Sequence, residues 1–170
     1  MGSSRIPESR NYWLDLGLFY CSKRETSRAR LRSYFLRKIK EYRIPPEDAP
    51  THVSWFDSVL DELEEKKILD DARYAGILQR DYLRRGKGKR YIEQKMKERG
   101  LTAKIPDLEF DLVSELERAC DLASKTLNRS SIKKIEDPYA IKTKLLQKLV
   151  SSGFEFDLAK KAVELVLRSK

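Results

Sequence analysis

Two stretches of this chain repeat one another at a constant spacing, and that restricts its possible folds more than any other feature. Ile92, Met96, Gly100 and Leu101 recur as Leu145, Leu149, Gly153 and Phe154, with Gln94 matched by Gln147 and Lys95 by Lys148. Apolar residues four apart, followed by a glycine and a further apolar residue, describe the end of an amphipathic helix. Phe35, Ile39 and Ile44 fall in the same register in the first third, where Arg43 takes the glycine position. A repeat of about fifty residues follows, three to the chain. One such unit buries its own apolar face poorly, so neighbours must stack and share a core. The expected fold is all-α: three tandem three-helix repeats in an elongated, curved array. The expected boundaries are a disordered tail at 1–11 and repeats at 12–68, 69–113 and 114–170.

The individual helices can be placed from their apolar steps and end signals. Tyr12 to Cys21, with Trp13, Leu14, Leu16, Leu18 and Phe19, reads as a buried first helix. Thr26 or Ser27 caps the second, which turns Leu31, Phe35 and Ile39 inward and stops at Ile44-Pro45-Pro46. Ser54 is expected to cap a third helix, with Phe56, Val59, Leu60 and Leu63 inside and Asp57, Asp61, Glu62, Glu64 and Glu65 outside. Asp70 or Asp71 starts the next, with Tyr74, Ile77, Leu78 and Tyr82 on one face. Gly86 and Gly88 break it by entering left-handed backbone geometry. After a linker at 102–106, Asp107 to Leu112 is read as a short helix. Ser114 and Glu117 form a capping box before the stripe Leu116, Ala119, Cys120, Ala123 and Leu127. Asn128 to Glu136 reads as a second linker. Asp137-Pro138 then opens a helix that turns Ile141, Leu145 and Leu149 inward, and Asp157 caps the last, which buries Leu158, Ala162, Val163 and Val166.

Charge narrows the function. Lysine and arginine number 36 against 27 acidic residues, a net charge of +9. Such an excess suits a polyanionic partner, nucleic acid or an acidic protein surface. No apolar run is long enough to span a bilayer, and Met1 to Arg10 has no apolar signal core, so a cytoplasmic protein with no membrane association is expected. Cys21 and Cys120 sit on apolar stripes and read as reduced core thiols.

The sequence Leu69-Asp70-Asp71-Ala72-Arg73-Tyr74-Ala75, followed by Arg85-Gly86-Lys87-Gly88 and by Ile92, Met96 and Gly100, resembles the middle repeat of the RecX proteins, bacterial regulators of the RecA recombinase. Ser27-Arg28-Ala29-Arg30-Leu31 is similar to the helix of the first repeat, and Lys144-Leu145 to Gly153-Phe154 to that of the third. The resemblance runs from about Tyr12 to Leu167. It departs at Arg30, where many members carry an acidic residue, and at Arg43, where many carry glycine. It implies a non-enzymatic monomer of recombination, DNA repair and the SOS response. Such a protein binds the RecA–DNA filament in its groove and limits extension, ATP hydrolysis and strand exchange.

Two basic clusters are the candidate contact residues. The first, in the segment Arg24–Lys40, comprises Arg28, Arg30, Arg32, Arg37 and Lys38; the second, in the segment Arg80–Arg99, comprises Arg80, Arg84, Arg85, Lys87, Lys89 and Arg90; Arg73 is a further candidate outside both. Arginine forks across two oxygens and suits phosphate. The competing reading of each cluster is a solvated helix face. A stand-alone basic DNA-binding module of helix-turn-helix type is the alternative function, although a recognition helix with base-reading Asn, Gln and Arg is missing. No catalytic set, cofactor or metal site is expected. His52 lies without a second histidine or a nearby cysteine, whereas zinc needs three or four converging ligands. Gly86-Lys87-Gly88-Lys89 lacks the spacing of a phosphate-binding loop.

Overall fold

The computed structural model describes residues 7, 9–101 and 111–169. Among them are nine helices and no strand. The chain divides into two compact units, one of residues up to Ala75 with those from Glu98, the other of Gly76–Lys97 with the C-terminal helices.

The first unit holds α1 (Arg10–Lys23), α2 (Arg28–Glu41), α3 (Ala49–Glu65) and the first turn of α4 (Asp71–Arg84). Trp13, Leu31, Phe35, Phe56, Val59, Leu60 and Leu63 are fully buried there. Packing of α1 depends on Gly17: a Cβ at that position would lie 3.1 Å from Leu63 and 3.2 Å from Phe35. Only Trp13 and Gly17 of α1 are buried, and Leu18 and Phe19 face outward. The helix therefore has one narrow inner face rather than being buried all round. It begins at Arg10, inside the stretch expected to be tail, where the guanidinium donates to Ser58 and Glu62.

The second unit holds the rest of α4, then α5 (Lys89–Lys97), α6 (Leu112–Leu127), α7 (Ser130–Lys133), α8 (Pro138–Ser151) and α9 (Phe156–Arg168). Its core is Ala119, Ala123, Leu127, Ile132, Leu145, Leu149, Phe154, Ala159, Ala162, Val163 and Val166. Small residues on α6 and α9 let these two helices approach closely. The expected linker at 128–136 contains α7, because Ile132 is drawn into this core.

Several caps differ from expectation. Ser54 and His52 lie inside α3, which starts at Ala49 with Pro50 in its first turn. Asp111, not Ser114, caps α6, accepting the amides of Val113 and Ser114. Glu155 precedes α9, and Asp157 sits in its first turn. Asp137 does cap α8, accepting the Tyr139 and Ala140 amides. Ile77 is exposed, and Ala75 takes the fully buried place on α4. The expected short helix at Asp107–Leu112 lies, up to residue 110, outside the described residues.

The repeat register is visible in the backbone. Arg43, Gly100 and Gly153 occupy equivalent positions and have φ of 54°, 70° and 92°. Ile44 donates to the Ile39 carbonyl at 3.1 Å, and Phe154 to that of Leu149 at 3.2 Å, the six-residue closure of a helix that ends in a left-handed turn. Lys67 and Gly86 close α3 and α4 in the same manner. Gly88, by contrast, does not have positive φ. It is needed for close approach: a Cβ there would fall 2.5 Å from the Gly153 carbonyl.

Candidate nucleic-acid and partner interface

Backbone contacts at the helix starts place the charges. In the first unit, the amide of Arg28 opens α2 and donates to Asp71 at 2.8 Å. Ser27 accepts the Arg30 amide and donates its hydroxyl to the Arg99 carbonyl. In the second unit, the amide of Lys89 opens α5 and donates to Glu115 at 2.9 Å. Gly88 donates to the Ser152 carbonyl at 2.9 Å, and Arg90 to that of Gly153 at 3.1 Å. The two junctions follow one plan. The start of a repeat's second helix lies on the residue before the next repeat's left-handed glycine. A buried carboxylate from the next repeat's first helix takes a free amide. Asp71 and Glu115 are both almost fully buried. Asp70, not Asp71, caps α4 itself, accepting the Arg73 amide, a bond that holds its carboxyl below the ordinary aspartate value.

The two basic clusters differ in how far their charge is already matched. On α2 the acidic face of α3 matches it: Arg28 bonds Asp61 at 2.7 Å and Glu64 at 2.8 Å, and Arg32 bonds Asp57 at 3.0 Å. Arg37 and Lys38 both pair with Glu41, and Lys38 also lies over Tyr34 and Tyr42. Arg73 pairs with Glu25 and donates to the Lys67 and Ile68 carbonyls. Of this unit's candidates, Arg30 is exposed and forms no ion pair with a described residue. The helix positions that face outward on α2 as a lone helix thus face α3 in the folded unit.

The second cluster is less matched. Arg84 and Arg85 share one carboxylate, Asp81, at 3.6 and 2.9 Å. Arg90 reaches Glu155 at 3.5 Å with both side chains well exposed. Lys87 lies 4.5 Å from the centre of the Tyr91 ring, and Lys89 is 3.9 Å from Glu93. Arg80 is exposed without an ion pair to a described residue. Tyr91 packs edge-on to Tyr82 and against Gly153, so its ring belongs to the repeat junction rather than to a free stacking platform. Counting the sequence of each unit, the second carries 20 lysines and arginines against 13 acids, the first 16 against 14. Most of the chain's positive excess therefore lies in the second unit.

The remaining ionisable groups look inward. Trp13 donates its indole N–H to His52 Nδ1 at 3.1 Å, and burial holds the imidazole below its ordinary value. Cys21 and Cys120 are free thiols that burial pushes up, which disfavours the reactive thiolate. Among the described residues no three of His, Cys, Asp and Glu come together as a metal site. No helix there is long and apolar enough to cross a membrane.

Fold and surface define a class: a helical tandem-repeat protein whose second unit carries most of the positive excess. Residues 70–105 match the second three-helix domain of RecX. Regulatory protein RecX of Streptococcus agalactiae serotype Ia is 26% identical over 158 residues, 91% of this chain and 55% of that protein. The protein of the same name from Streptococcus pyogenes serotype M5 is 27% identical over 156 residues, 90% of this chain and again 55% of the relative. The chain thus spans about half the length of these curated relatives. The crystal structure of RecX from Lactobacillus salivarius superposes with a TM-score of 0.70 at 18% identity, covering 94% of this chain and 97% of that one. A second RecX crystal structure gives a TM-score of 0.67 at 21% identity. The chain is thus similar to the RecX proteins in its second three-helix domain, along most of its sequence and in fold.

Proposed function

We propose that this chain binds RecA on its DNA filament and restrains filament extension, and with it ATP hydrolysis and strand exchange. Similarity to proteins named regulatory protein RecX supports the reading. The observation that carries it is the positive excess of the second unit, 20 lysines and arginines against 13 acids, to which Arg80, Arg84, Arg85, Lys87, Lys89 and Arg90 contribute. A filament presents phosphates and acidic protein surface together, and such a face can meet both. Of the other candidates, Arg30 alone joins this role, whereas Arg28, Arg32, Arg37, Lys38 and Arg73 hold the first unit together. The protein acts as a monomer, in the cytoplasm, without catalysing a reaction of its own.

The test adds purified protein to RecA-coated single-stranded DNA and follows ATP hydrolysis. The rate should fall as protein is added. An unchanged rate at saturating protein would overturn the proposal. Tight, sequence-selective duplex binding without RecA would replace it with a stand-alone DNA-binding module.

A further inference from the structure

Between the end of α4 and the outer side of α6 lies an open concavity of about 210 Å³. Leu83, Arg84, Arg85 and Gly86 line it from one side; Arg118, Asp121, Leu122 and Lys125 line it from the other. Four cations, Arg84, Arg85, Arg118 and Lys125, therefore line it with one carboxylate, Asp121, while Asp81 pairs with Arg84 and Arg85 from outside the lining. The lining itself thus carries a positive excess.

Arg118 makes the arrangement unusual. Its Nε–H is shielded from solvent and has no hydrogen-bond partner among the described residues. A buried donor without an acceptor is costly, and native structures rarely keep one without a reason. Arginines at a helix's last turn are explained by the helix dipole, which accounts for Arg84 and Arg85 at the end of α4. That account does not reach Arg118, which stands in the middle of α6. Arg118 also lines the concavity beside two other cationic helix ends and Lys125, and a compact, doubly hydrogen-bonding anion suits such a set of guanidinium and ammonium groups.

We propose that this concavity is a phosphate site, in which Arg118 and Lys125 of α6 join Arg84, the last residue of α4, and Arg85 just beyond it around one phosphodiester of a nucleic-acid backbone. Guanidinium groups from two helices grip non-bridging oxygens, and Leu83 and Leu122 leave room for the adjoining sugar. The proposal rests on the filament-binding reading only in taking nucleic acid as the source of the phosphate. It adds two residues from the third repeat to a surface otherwise built from the second.

The test measures binding of a fluorescent single-stranded oligonucleotide over a salt series, for the wild type and for Arg118→Gln, Lys125→Gln and Arg118→Lys. Loss of one charged phosphate contact should weaken binding about tenfold. It should also lower the slope of log affinity against log salt by about 0.7. Arg118→Lys should recover the slope but only part of the affinity, since ammonium restores charge without the fork. Circular dichroism and the thermal midpoint check that each variant folds, and Lys125→Gln carries the test if Arg118→Gln does not. Equal affinity and slope in folded variants would overturn the phosphate site while leaving the filament reading intact. A wild type that binds no oligonucleotide at low salt would overturn both the site and any DNA contact. Binding of inorganic phosphate, lost in Arg118→Gln, beside unaltered oligonucleotide binding would make the site one for a free anion and overturn the backbone assignment. Variants that bind oligonucleotide normally but no longer slow RecA ATP hydrolysis would assign the site to a protein carboxylate instead.

Discussion

The buried carboxylate of Glu115 accepts the amide of Lys89 at 2.9 Å, so a residue of α6 caps the start of α5. Asp71 does the same for Arg28 one repeat earlier. These carboxylates do by tertiary contact what a capping side chain normally does from within its own helix. Glu115→Ala and Asp71→Ala should each destabilise the protein by about 1–3 kcal/mol, because a buried amide loses its acceptor. Glu115→Gln, which keeps an acceptor oxygen, should cost less. Urea unfolding of the three variants checks this; equal losses for Ala and Gln would show that the oxygen is not what matters.

Arg43 occupies a backbone conformation, φ 54°, that glycine adopts at both equivalent positions. Its side chain is exposed, so little packing is lost on removing it. Arg43→Gly should stabilise the chain by about 0.5–1 kcal/mol through relief of left-handed strain, less the added freedom of the unfolded chain. That corresponds to a rise in melting temperature of about 1–4 °C for a chain of this size. A fall would show that the arginine makes a contact worth more than the strain.

His52 is the chain's one histidine, and in the folded state its Nδ1 accepts from Trp13. Burial lowers its pKa from the ordinary 6.5, so the unfolded chain binds the proton more readily. Stability from this group is therefore complete above about pH 6.5 and falls as the pH drops below it. The carboxylates held low, Asp70, Glu62 and Asp111, contribute loss only in the more acidic range near their ordinary values. Unfolding followed by tryptophan fluorescence from pH 7.5 to about 5 should show decreasing stability for the wild type and a flat profile for His52→Asn. Parallel profiles would exclude His52 as the source.

The two basic clusters should separate by experiment. Arg28→Gln with Arg32→Gln removes pairs to Asp61, Glu64 and Asp57 and should cost stability, about 0.2–1 kcal/mol for each exposed pair. It should leave the salt dependence of oligonucleotide binding unchanged. Arg84→Gln with Arg90→Gln should do the reverse, with a shallower salt slope and near-normal stability. The thermal midpoint and a salt series on both double variants give the answer.

The sequence by itself determined the helical class, most helix positions and the repeat register. These follow from local rules, the recurrence of apolar residues at three and four and the backbone freedom needed at helix ends. Ile92, Met96, Leu145 and Leu149 are all fully buried, as their spacing requires. Even Arg43 was legible as a glycine position before its left-handed φ was seen. Tertiary structure alone decided which charges remain available. Arg28 and Arg32 read as outward cations on their own helix, but α3 brings Asp57, Asp61 and Glu64 to them across more than twenty residues of sequence. The same holds for Asp71 and Glu115, whose partners lie in other helices, and for Arg118, which stands among ordinary α6 residues in sequence. Its missing acceptor becomes visible only once packing has removed the water from around it. Periodicity records which face of a helix is buried, and electrostatic pairing depends on which other helix arrives there.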